Sequence, residues 1–272
     1  MAMTRETEPK ETEAPAPAGT NYRQRKILEL LGRAKAVSSD QLASEFGVSR
    51  ITIRRDLDTL AGHRLLERVR GGAVAVASPR TEAMFEEKDH TARREKDLIG
   101  RYVASLLADN ETVFVNAGST TLEVIRHLHD RKVRVVTNNA ACLTLDPDPK
   151  LDLILLGGEY RAASRSLVGE LTLAGLNMIF SSATVLGING VSLKNGFTTA
   201  VSQETRVNRA MIENCTGKVI VVADHTKMNT VSSFLTCPLN KVDLLVTDWL
   251  APLQFCRDLE ESGLQVARVP EE

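Results

Sequence analysis

Cysteine is scarce and scattered in this 272-residue chain, and the first limits come from what does not surround it. Cys142, Cys215, Cys237 and Cys256 form no CxxC pair and join no Cys/His cluster. Neither a zinc site nor a disulfide framework is expected, and no metal. Runs of about 18 apolar residues are missing, which excludes a membrane-spanning helix and a membrane partner. No apolar signal stretch opens the sequence, so a reducing cytoplasm is the expected location. Residues 1–20, rich in Glu, Thr, Pro and Ala, carry too little apolar bulk to offset ordering entropy and are expected to be disordered. Internal repeats and coiled-coil heptads are also lacking. So are a Walker A loop, a dinucleotide fingerprint, a zincin helix and a nucleophile elbow, and no cofactor is expected.

What is present is uneven. The net charge is −1. Residues 21–80 hold 12 Lys/Arg against 6 Asp/Glu, whereas residues 81–272 hold 20 against 25. A basic head on an acidic body fits a phosphate-binding head joined to a domain that does not bind nucleic acid.

The head is expected over 21–76. Tyr22 to Leu31 puts Ile27, Leu28, Leu30 and Leu31 on one helical stripe. Residues 38–60, SSDQLASEFGVSRITIRRDLDTL, read as two short helices joined by a turn at Gly47, the form of a major-groove reader. Ser39 is expected to cap the first, which buries Leu42, Ala43 and Phe46, and Ser49 the second. On the second helix Ile53, Leu57 and Leu60 face the core, so Ile51, Arg55 and Asp58 point away. Ile51 fits either a half-buried helix edge or contact with a thymine methyl. LLERVRGGAV (65–74) alternates around Gly71-Gly72 as a two-stranded wing. The expected DNA contacts are Ser39, Ser49, Arg50, Ile51, Thr52, Arg54 and Arg55, with Arg68 and Arg70 from the wing.

Residues 77–91, charged and interrupted by Pro79, read as a linker, and the body is expected over 92–272. Strands are predicted at 112–116, 133–137, 151–156, 184–188, 218–223, 242–247 and 265–269. Helices are predicted at about 92–108, 120–130, 167–175, 202–215 and 250–262. Such alternation predicts an α/β domain with a mostly parallel sheet covered on both faces. Ligands of such sheets bind beyond the carboxyl ends of the strands. TVFVN ends there in Asn116, Ala117, Gly118, Ser119, Thr120 and Thr121 and enters a helix, so its amides and hydroxyls can surround an anion or simply cap the helix. Thr137, Asn138 and Asn139 follow the next strand. Gly157 and Gly158 follow another, as ligand loop or plain turn, and Asp224, His225 and Lys227 a further one. Lys227 is either the fixed charge for a phosphate or carbonyl, or a surface cation. Helix 203–213 carries Glu204, Arg206, Asn208 and Arg209, mostly as a solvated face, with Glu204 placed to reach a sugar hydroxyl.

These motifs resemble the DeoR family of bacterial transcriptional regulators over almost the whole chain past residue 20. The match lies in FGVSRITIRRDLDTL (46–60), RVRGGA (68–73), NAGSTT (116–121), VVTNN (135–139), LLGGEYRAASRSLVG (155–169), NRAMIE (208–213) and VVADHTK (221–227). The resemblance implies a winged helix-turn-helix head on a sensor domain related in fold to ribose-5-phosphate isomerase, with phosphorylated sugars as effectors. GFTTAVSQETRVNRAMIE (196–213) resembles the amino-sugar, galactosamine-type branch. Three residues depart from the family's pattern. Arg64 replaces a Gly, so Gly62 is expected to end the helix earlier. Arg70 replaces a His, and Asn116 replaces an Asp.

The expected function is therefore a repressor of a sugar or amino-sugar catabolic operon. Double-stranded operator DNA and a phosphorylated sugar are the expected partners, and the chain is expected to form a dimer or tetramer of itself. The alternative is a sugar-phosphate isomerase-like enzyme with an appended DNA-binding domain, for which Glu204 and Asp224 are the candidate bases.

Overall fold

The computed structural model describes residues 22–34, 36–62, 66–69, 71–75, 84–146 and 148–271. The expected disordered tail, Arg64 and Arg70 lie outside the described residues. The chain divides into two compact units after residue 76.

The first unit runs α1 (Tyr22–Ala34), β1 (Ala36–Ser38), α2 (Ser39–Phe46), α3 (Arg50–Gly62), β2 (Leu66–Val69) and β3 (Gly72–Ala75). Ile27 and Leu31 of α1 meet Leu42, Ile53, Leu57 and Leu60 in one core, as the helical spacing requires. Gly47 ends α2 in the left-handed conformation, φ 61°, where a side chain would be strained. The wing is three-stranded, in the order β1-β3-β2, rather than the expected two. β1 is too short to show a period-2 pattern. A Cβ on Gly72 would lie 2.0 Å from the Val37 carbonyl oxygen, so that third strand demands glycine there. Asp56 is buried in α3 and accepts from Arg23 Nε (2.5 Å) and Gln24 Nε2 (3.1 Å) of α1. A buried carboxylate is tolerable only with such partners. Among the described residues α3 runs as far as Gly62, and residues 63–65, beyond the expected stop, lie outside them.

The second unit begins, among the described residues, inside the expected linker. α4 (Phe85–His90) buries Phe85 in the body core, so residues from 85 onward belong to the body. The sequence hides this because four of the helix's six residues are charged. There follow α5 (Arg93–Leu106), β4 (Thr112–Val115), α6 (Ser119–Arg126), β5 (Arg134–Thr137), β6 (Asp152–Leu155), β7 (Glu159–Arg161), β8 (Ser166–Val168), α7 (Glu170–Leu176) and β9 (Ser181–Gly187). Next come β10 (Gly190–Ser192), β11 (Gly196–Thr199), α8 (Ser202–Glu213), β12 (Cys215–Val222), β13 (Phe234–Cys237), β14 (Leu244–Asp248), α9 (Leu253–Glu261) and β15 (Gln265–Val269).

Seven strands form a parallel sheet in the order β6-β5-β4-β9-β12-β14-β15. Side-chain alternation separates its two faces. Phe114, Val136, Leu186, Val221 and Leu245 pack with α8 and α9 on one side. Val113, Val115, Val135, Val185 and Val246 pack with Phe85, α5 and α6 on the other. Each such burial contributes roughly 1.5–3 kcal/mol over exposure. Chain order runs outward from β4 through β5 to β6, then outward from β9 on the other side. The loops after β4 and β9 therefore part, and a crevice opens at their carboxyl ends. A small antiparallel sheet, β10-β11-β13, and the hairpin β7-β8 close over that end.

Candidate functional sites

The head presents a polar face with one large apolar residue. Ile51 is 67% exposed, which speaks against the half-buried helix edge. Arg54 and Arg55 are also exposed on α3. Arg50 Nε meets Asp40 Oδ1 at 2.5 Å, but both are exposed, and such a pair exchanges readily for a phosphate. Ser49 caps α3 by accepting from Thr52 N–H (3.2 Å), and the two hydroxyls lie 2.9 Å apart. The expected cap of α2 shifts by one residue: Ser38 Oγ, not Ser39, accepts from Gln41 N–H. Ser39 instead uses its backbone N–H on Gly71 O (2.8 Å), tying α2 to the wing. Arg68 also works inward. It donates to Asp58 Oδ1 (2.9 Å) and to Gly72 O (2.6 Å), joining the wing to α3.

In the body, the crevice between β4 and β9 opens into a narrow cleft of about 50 Å³, partly open to solvent. Of the expected effector residues, Asn116, Gly118, Ser119, Thr120, Asn138, Glu204 and Lys227 line it. α6 starts here without a side-chain cap. Its first intrahelical bond is Leu122 N–H to Gly118 O (3.0 Å), so the amides of residues 119–121 have no partner within the helix. These donors and the positive end of the helix favour an anion. Asn138 Oδ1 accepts from Ala117 N–H (2.9 Å), and Asn139 Nδ2 donates to Gly118 O (3.0 Å), so the loop is held rigid from behind.

Asn116 is placed at the crevice, but its amide is spent. Nδ2 donates to Gly187 O and to Asn208 Oδ1, both at 2.9 Å, and Oδ1 accepts from Gly187 N–H at 2.8 Å. It clasps β4 to β9 across the crevice. An ionised aspartate could not donate those two bonds, which accounts for Asn here.

The remaining expected residues stand behind the cleft rather than in it. Thr121 Oγ1 donates to Asn116 O (2.7 Å) and Thr137 Oγ1 to Val115 O (2.6 Å), while Asn139 is fully buried. Gly157 O accepts from Thr172 Oγ1 (2.7 Å), and a Cβ on Gly158 would lie 2.1 Å from that oxygen, so this pair is a packed turn. Asp224 is fully buried and caps the short helix His225–Lys227 through Thr226 N–H (2.9 Å). Burial works against its ionisation, yet Lys227 beside it and the Thr226 hydroxyl hold its carboxyl below the usual carboxylate range. His225 Nδ1 lies 3.0 Å from Asp248 Oδ1 and serves the fold.

Several lining residues went unpredicted: Lys88, Lys96, Ser164, Thr199 and Asn208. Asn208 was expected on a solvated face and is 2% exposed. Its spacing from Glu204, one helical turn, was the available signal. Glu204 accepts from Ser166 Oγ (3.0 Å) with Arg161 Nε 3.7 Å away, which leaves it paired rather than poised as a base. Arg206 pairs with Glu170 in solvent, and Arg209 donates to the β13 carbonyls of Leu235 and Thr236.

Known proteins agree with both halves. Residues 23–79 match the DeoR-like helix-turn-helix domain and residues 91–249 the DeoR C terminal sensor domain. The HTH-type transcriptional repressor GlcR of Bacillus subtilis is 31% identical, covering 88% of this chain and 93% of its own. The glycerol-3-phosphate regulon repressor of Escherichia coli is 32% identical, covering 88% and 95%. Ribose 5-phosphate isomerase A of Methanocaldococcus jannaschii aligns over 51% of this chain and 55% of its own at 13% identity and a TM-score of 0.38, too slight a likeness to bear on ligand or activity. A winged helix-turn-helix in the first unit, a parallel-sheet domain in the second and relatives matched over nearly their whole length converge: the chain belongs to the DeoR family of helix-turn-helix transcriptional regulators.

Proposed function

We propose that this protein is a repressor of a sugar or amino-sugar catabolic operon, and that a phosphorylated sugar in the body cleft releases it from operator DNA. The uncapped start of α6 at the crevice carries this reading. Its amides, with Ser119 and Thr120, suit a phosphate, while Thr199 and Glu204 suit hydroxyls. The relatives matched over nearly their whole length are named repressors and regulators, and one is named for a glycerol-phosphate regulon. A putative aga operon repressor is also related, at 28% identity against 31–32% for those three, so identity singles out no sugar branch. The enzyme alternative has weak support: Asp224 stands behind the cleft and Glu204 is paired.

On this reading the DNA contacts are Ser49, Arg50, Ile51, Thr52, Arg54 and Arg55, with Arg70 from the wing. One head spans too few base pairs for a specific site, so heads pair and the protein is a dimer or tetramer. It acts in the cytoplasm, where its operator is. Among the described residues no helix is long and apolar enough to cross a membrane.

A thermal-shift panel tests the proposal. It sets hexose, amino-sugar and glycerol phosphates against the same compounds without phosphate. A ligand at 100 times its Kd stabilises by about 2.7 kcal/mol. The expected result is a shift from a phosphorylated compound alone, which also weakens operator binding. Equal shifts from a sugar and its phosphate would overturn the reading.

A further inference from the structure

Lys96 is the most unusual charge in the body. It lies on α5, is 3% exposed and lines the cleft. Its ammonium donates to the Lys88 carbonyl oxygen. Among the described residues it makes no ion pair within 4.0 Å. A buried ammonium with no carboxylate in contact is costly, and a fold that keeps one has a reason outside its own packing.

Its place in the fold supplies that reason. α5 leads into β4 and α6 leaves it on the same sheet face, so the two helices run in the same direction. They touch where a Cβ on Gly100 would lie 2.7 Å from the Glu123 carbonyl carbon. One helical turn back from each contact residue brings Lys96 beside Ser119, at the uncapped start of α6.

We propose that Lys96 supplies the counter-charge for the phosphate held at the start of α6, and that anion binding in this cleft is therefore coupled to the proton on Lys96. This rests on the reading of the cleft as a phosphate site. It moves the principal fixed charge from Lys227, the sequence's candidate, to a residue the sequence did not mark. Lys227 lines the same cleft, but its ammonium is engaged 3.0 Å from Thr226 Oγ1 and 3.8 Å from Asp224 Oδ2.

Proton coupling follows from the surroundings. Burial pushes the Lys96 ammonium down to about 8. Asp224, from the loop after β12, opposes that shift, as does Asp89 on α4, while Lys227 and Lys88 add to it. Glu123, the acidic residue of α6 nearest the helix contact, is engaged with Arg126 (3.0 Å). Below pH 8 Lys96 is already charged and an anion binds without proton exchange. Above it, binding must first take up a proton, so affinity falls as pH rises.

The test uses the full chain and inorganic phosphate as probe, titrated from pH 7.5 to 9.5 at constant ionic strength. Wild type, Lys96→Met and Lys96→Arg are compared. The proposal expects wild-type affinity to fall by about 20-fold across that range. Lys96→Met should bind weakly with no such fall. Lys96→Arg, whose charge does not titrate here, should hold its affinity constant with pH. Lys227→Met should move the wild-type midpoint upward, because a like charge is removed. Wild-type binding that is flat with pH overturns the Lys96 assignment alone, as does a Lys96→Met variant matching wild type at pH 7.5. No saturable phosphate binding by wild type at pH 7.5 overturns the phosphate-site reading, and this proposal with it.

Discussion

On the head, Arg54 and Arg55 stand in open water on α3, and Arg50 shares the solvent with Asp40. In the body, Lys96 is 3% exposed and Thr120 8%, behind a loop fixed by Asn138 and Asn139. Both regions suit a phosphate, and the difference is hydration. Exposed cations keep their water until DNA arrives, cost the free protein little, and act in number, so their effect is spread thin and screened by salt. A buried site holds one anion with few groups. It costs stability when empty, but each group counts for more because it is buried. A regulator needs both: a loose, salt-sensitive grip that can be released, and a tight pocket that senses one metabolite.

Four substitutions can break or sharpen that contrast. Thr120→Asp should have the largest effect, because it puts a carboxylate where the anion must sit. Effector binding by calorimetry should weaken at least about 100-fold, on the order of 3 kcal/mol, while operator binding stays at the wild-type level. Retained effector affinity would mean that the start of α6 is not the phosphate site.

Lys96→Met should stabilise the ligand-free protein near pH 7 by about 3 kcal/mol, at about 1.36 kcal/mol per pH unit. The charged form of Lys96 is disfavoured by folding, its value dropping to about 8 from 10.5. Between those values the unfolded chain binds more protons, so wild-type stability rises with pH across that window and is penalised below it. Removing the charge removes the penalty, and the gain should fade by pH 10.5. A denaturation series across pH checks this, and a loss of stability at pH 7 would show that the ammonium is paid for within the fold.

Arg55→Ala should weaken operator binding by roughly 1–3 kcal/mol with relaxed sequence preference if it reads a guanine edge. A uniform loss across sequences would assign it to phosphate instead. Arg68→Ala should do least to DNA binding. The wing arginine is tied to Asp58 and Gly72 O, so the salt slope of binding should stay unchanged while the head loses about 1 kcal/mol of stability. A slope lowered by about one would place Arg68 on the backbone after all.

The sequence carried the fold further than the cleft, for a physical reason. Apolar periodicity is local, so every strand of the large sheet was visible in it, to within a few residues, as were α3 and its exposed Ile51. Short elements whose partners lie far along the chain were not: β1 needs Val37 against Gly72's neighbours, and the β7-β8 hairpin has too few residues to alternate. In the cleft, residues just past strand ends were legible because chain order places them. Thr137, Asn139 and Asp224 share that position yet turn inward, since the tight loops need buried acceptors and donors of their own. Lys96 and Lys88 reach the cleft from helices, by packing of α4 and α5 against α6. No run of residues announces such an approach, and a lysine in a charged segment reads as solvated.

The central claim is that one bound anion in the body opposes DNA held by the head. Linkage makes this reciprocal: whatever factor effector takes from operator affinity, operator must take from effector affinity. A near-complete switch in occupancy, from 99:1 to 1:99, needs about 10⁴-fold, or roughly 5.5 kcal/mol, which several sites in an oligomer can share. The most direct measurement is a calorimetric titration of the phosphorylated sugar that stabilises the protein most, with and without saturating operator DNA. The account predicts weaker sugar binding with DNA present, by the same factor that the sugar weakens DNA binding. Identical sugar affinities in the two titrations would contradict it.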